Sequence, residues 1–93
     1  MKATVVKGLM ALGLSMTATL ALASPTCTEA PQDAWLSTDE MKQRIGEMGY
    51  EIKAFKTTDG HCYEIYGWDD QQRRVEIYFD PVDGSIVEQE IDD

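Results

Sequence analysis

The chain has 93 residues, with 17 acidic against 8 basic side chains and a formal net charge of −9 at pH 7. That length allows one small domain, and that charge repels nucleic acid and anionic lipid, which argues against both as partners. With only two cysteines and one histidine, a zinc cage would need carboxylates or water to complete it.

The first 23 residues read as a signal peptide. Lys2 and Lys7 form a positive start, Gly8 to Leu22 carry no charge, and Ala21-Leu22-Ala23 offers the small-x-small pattern of a cleavage site. Fifteen such residues are short against the roughly twenty that span a bilayer, so no stable membrane insertion is expected after cleavage. Cys27 lacks the lipobox of a lipidated cysteine. The remaining chain, Ser24 to Asp93, holds 70 residues with 6 basic and 17 acidic side chains, a net charge of −11. So small a domain tends to need a staple. In an exported chain Cys27 and Cys62 are most simply a disulfide, and closing a loop of that length is worth roughly 4 kcal/mol on the chain-entropy model.

Residues 24–34, with two prolines and no apolar periodicity, read as an extended tail before a domain at 35–93. Ser37 and Glu40 form a capping box, with Leu36 placed to staple onto Met41. Met41, Ile45 and Met48 then recur at helical spacing, and Gly49 suits a left-handed cap, so a helix is expected over Thr38–Met48. Four strands follow in period-two alternation: Tyr50–Thr57, His61–Trp68, Arg73–Asp80 and Ile86–Ile91. Gly60 is expected to supply the positive φ of the first hairpin, and Asp83-Gly84 the turn of the last. The fold class is α+β, one N-terminal helix on a four-stranded antiparallel meander.

Parity assigns Ile52, Ala54, Tyr63, Ile65, Val75, Ile77, Phe79 and Val87 to the helix side. It leaves Phe55, Cys62, Tyr66, Trp68 and Tyr78 on the other side, among Lys53, Glu64, Arg74 and Glu76. That is more aromatic area than a solvated sheet face needs. Two readings stand: a second core under the tail, or a surface for a partner.

Gly60, Cys62-Tyr63-Glu64-Ile65-Tyr66-Gly67, Arg74-Val75-Glu76-Ile77-Tyr78-Phe79-Asp80-Pro81 and Asp83-Gly84 together resemble the PepSY domain, over about Trp35 to Ile91. The resemblance implies a helix-on-sheet module that inhibits or modulates peptidases, or senses at the cell envelope. It carries no catalytic residues, and it does not guarantee the disulfide or the tail.

Other chemistry is weaker. His61 beside a turn reads as a surface residue, and Asp80–Gly84 departs from calcium-loop spacing. Ser37 is a better cap than nucleophile. The expectation is a periplasmic or secreted, non-enzymatic interaction module without cofactor, whose partner is another envelope protein, with a peptidase suggested by the resemblance. Its partner-binding residues are Phe55, Tyr66, Trp68 and Tyr78, with Arg74 as polar anchor. The alternatives are a cation-responsive sensor using Asp69-Asp70 or the acidic end of the chain, and a homodimer formed through the aromatic face.

Overall fold

The computed structural model describes residues 24–92, so the expected signal peptide lies outside the described residues. Helix α1 spans Thr38–Glu47, and four strands follow: β1 Glu51–Thr57, β2 Tyr63–Trp68, β3 Arg74–Phe79 and β4 Ile86–Asp92. They form one antiparallel sheet in the order β1-β2-β3-β4, the expected meander.

The helix begins where the capping residues put it. Ser37 Oγ accepts from the Glu40 N–H at 3.1 Å, while the Glu40 carboxylate accepts from Arg44 Nη2 at 3.2 Å, one turn on. Met48 caps the C-terminus, followed by Gly49 at φ +100°. Met41 and Ile45 are fully buried, but Met48, expected on the same stripe, is 44% exposed because the helix has ended before it. Met41 and Ile45 pack with Tyr63, Ile65, Val75, Ile77 and Phe79, flanked by Trp35, Leu36, Tyr50, Ile52 and Phe55. Each fully buried large side chain in this set is worth about 1.5–3 kcal/mol, which is what holds a three-turn helix that would be marginal alone.

Register corrects the expected faces at two places. β1 carries a bulge between Ile52 and Ala54: Ile52 pairs with Gly67, yet Ala54 pairs with Tyr66 and Phe55 with Ile65. One extra residue inverts the parity beyond it. Phe55 therefore lies on the helix side, its ring 5.0 Å from that of Tyr63 and 5.2 Å from Lys42 Nζ, and Ala54 takes the opposite side. A second irregularity skips Val87, because Tyr78 pairs with Glu88 and Phe79 with Ile86. Val87 is 43% exposed and is no part of the core.

The tail is more ordered than an extended lead-in. Cys27 is bonded to Cys62, with 5.1 Å between their Cα atoms, and the Cys27 N–H donates to Gly60 O at 2.9 Å. Gln32–Ala34 make one 3-10 turn. Trp35 then lays its indole edge-on to Tyr63 at 5.6 Å and donates Nε1–H to Ala30 O at 3.1 Å. The tail thus rounds the β1–β2 end of the sheet and finishes on the helix side. This explains Gly60, where the expectation fails: the positive φ of the turn is taken by His61, at 64°. Gly60 is needed because a Cβ there would overlap Pro25 O.

Candidate interaction face

Strand pairing sets the side opposite the helix into three transverse rows. They are Glu51, Trp68, Arg74 and Asp92; Ala54, Tyr66, Glu76 and Glu90; and Lys56, Glu64, Tyr78 and Glu88. The tail covers this side only near its third row. Pro25 O lies 3.4 Å from Cys62 Sγ, Ser24 Oγ lies 3.5 Å from the Tyr78 hydroxyl, and Cys62 is fully buried. The first two rows stay open. They border a groove of about 670 Å³ lined by Tyr66, Gly67, Trp68, Arg74, Glu76 and Glu90 among others.

Three of the five partner-binding residues expected from sequence, Tyr66, Trp68 and Arg74, meet in this groove. Tyr66 is 40% exposed, with Lys56 Nζ 5.5 Å from its ring centre. Arg74 reaches Asp92 at 2.9 Å in a solvated pair, an arrangement that contributes little and is given up cheaply. Tyr78 stands one row away, half-buried, donating to Glu76 Oε2 at 3.1 Å. Phe55 does not join them, for the reason given by the β1 bulge. Among the described residues no three metal-ligating side chains come together.

The last hairpin holds the signature that carries the resemblance. Asp80 Oδ1 accepts from the Val82 N–H and Asp83 Oδ1 from the Ser85 N–H, each at 2.9 Å, and Gly84 sits at φ +79°. Those are turn-forming roles. A family model described as peptidase propeptide and YPEB domain matches residues 8–90. The chain belongs to that family. No curated protein and no solved structure matches it.

In this PepSY domain the residue that sequence reasoning passed over is Glu64. Parity places it on the side away from the helix, as the structure does, yet it is 2% exposed, with Lys56 Nζ 3.6 Å from Oε1 and no hydrogen-bond partner on Oε2. Burial, and then the neighbouring Glu76 carboxyl, push the Glu64 carboxyl above the usual glutamate range. Glu76 moves the other way, held down first by the neighbouring Glu64 carboxyl and then by the hydrogen bond from the Tyr78 hydroxyl, which outweigh its burial. Partial desolvation and these carboxylates push the Tyr66 hydroxyl up to about 12, so it remains a donor throughout the physiological range. The only sequence signal for this was an acidic residue in the middle of a strand otherwise made of apolar and aromatic residues.

Proposed function

We propose that the chain is an exported, non-enzymatic interaction module that holds another envelope protein against the open side of its sheet, and that this partner is a peptidase whose activity it modulates. The carrying observation is the groove itself. One helix completes the core on the far side and the tail covers only the Tyr78 end, so Tyr66, Trp68 and Arg74 keep their contact surface free. Aromatic and arginine side chains are the types that dominate interface energies. The leader-like composition of residues 1–23 and the disulfide support export, and the family supports a propeptide-like role toward peptidases.

Crosslinking in intact cells, read by mass spectrometry, tests this with Tyr66→Ala/Tyr78→Ala. The double variant, still folded by circular dichroism, is expected to lose a peptidase partner that the parent chain captures. Unchanged capture would end the reading.

A further inference from the structure

The sheet has two edges, and they are built differently. Although most of its residues are exposed, β1 is blunted by its bulge and by Lys53 and Lys56, and α1 lies closest over it. These are ways in which an edge is kept from recruiting another chain. β4 also carries charges and one irregularity, but the irregularity falls at Val87 and leaves Glu88–Asp92 straight. Among the described residues no helix packs over it, and it is exposed over its whole length. Its charges are all acidic, so they repel only a partner that does not bring cations. Its two sides differ as well. Glu88, Glu90 and Asp92 continue the rows of the open face, whereas Ile86 and Ile91 fall on the helix side, 40% and 43% exposed beyond the reach of the helix.

We propose that β4 is a docking edge that accepts an extended segment of a partner protein in which Lys or Arg alternates with apolar residues. A strand added there continues the backbone ladder, sets its apolar residues beside Ile91 and its cations beside Glu88 and Glu90. Pairing of β4 with the β4 of a second copy does not meet this requirement. Antiparallel self-pairing about Gln89 sets Glu88 against Glu90 twice, and parallel self-pairing in register sets like against like. The excess of 17 acidic over 8 basic residues adds to that repulsion. This inference concerns the backbone edge; Glu90, Ile91 and Asp92 also border the aromatic groove, and Glu88, outside it, tells the two apart.

The test titrates the isotope-labelled full chain with a synthetic peptide alternating valine and lysine, and separately with its valine–glutamate counterpart. The lysine peptide is expected to shift and protect the amides of Glu88–Asp92 and to bind at least about tenfold more tightly than the glutamate peptide. Glu88→Lys/Glu90→Lys is expected to invert that order, while Tyr66→Ala/Tyr78→Ala leaves it unchanged. Equal binding of the two peptides, no binding at millimolar concentration, or shifts confined to Tyr66 and Trp68 would overturn the proposal. So would β4 shifts that appear with protein concentration alone. The groove reading fails separately, by unchanged capture of its partner.

Discussion

At Glu64 the fold holds a carboxylate with little water and a second carboxylate for a neighbour. Because its folded value lies above the unfolded one, the folded state binds that proton more tightly. The stability it contributes is present in acid and is lost as pH rises through the folded value. Glu64→Gln removes this loss and replaces an acceptor facing an acceptor with an amide that can donate to Glu76. We expect Glu64→Gln to raise stability at pH 8 by roughly 1 kcal/mol, the scale of an unsatisfied buried polar group, with little change at pH 4. Urea unfolding at the two pH values checks this. Asp69 runs in the opposite sense. Burial pushes its carboxyl up, but the N–H groups of Arg73 and Gln71, each at 2.9 Å, and the Arg73 guanidinium at 2.8 Å outweigh it and hold the group below the usual aspartate range. Its contribution is present above the unfolded value and lost as pH falls through the folded one. Phe55 shows where residue-level reading failed. Ile52 and Phe55 both belong inside, three apart, which strict alternation cannot satisfy; that mismatch was the available sign of the bulge. Phe55→Ala is therefore expected to cost about 2 kcal/mol or more of stability without altering partner capture, whereas Tyr66→Ala does the reverse. Unfolding curves and crosslinking on the two variants separate these effects.

Among the elements, the helix start and the strands were legible because their signals are local: a capping pair, a glycine after the last turn, and β-branched and aromatic alternation. The path of the tail was not, since nothing in a proline-rich segment says which side of a sheet it rounds. The cysteine pair told only that residue 27 had to reach residue 62. In the structure that reach depends on the close approach of Pro25 to Gly60. Gly60→Ala must displace the tail or the turn, and is expected to raise the rate at which dithiothreitol reduces the Cys27–Cys62 bond. Replacing both cysteines by serine removes the loop constraint, for which the sequence separation of 35 implies a loss of up to roughly 4 kcal/mol, measured as a fall in the urea midpoint. A loss well below 1 kcal/mol would mean that Trp35 and the Cys27–Gly60 hydrogen bond hold the tail without the bond.

Over the whole molecule stability should be graded across the sheet. β2 and β3 pair on both sides and carry Ile65 and Ile77, both fully buried beneath α1. β1 has the helix above it and the tail at its end. β4 has neither, and its exposed residues join it to the rest through one ladder to β3 and such side-chain links as Tyr50–Gln89, at 3.4 Å. Regions with few buried apolar contacts open at lower free energy than the global transition. Native-state hydrogen exchange should therefore find the amides of Ile65 and Ile77 exchanging only on global unfolding. Those of β4 should exchange faster, by roughly an order of magnitude for each 1.4 kcal/mol by which local opening is cheaper. The gradient also reports on the edge. A partner strand bound along β4 would slow its exchange toward the rate of β3 and leave β2 unchanged, since β2 already exchanges by the global route. A ligand held only in the aromatic groove would protect Tyr66 and Trp68 and reach β4 only at its Glu90–Asp92 end, leaving Glu88 fast. If β4 in the isolated chain already exchanges as slowly as β2, something covers that edge, and the picture of an open strand beside an open face is wrong.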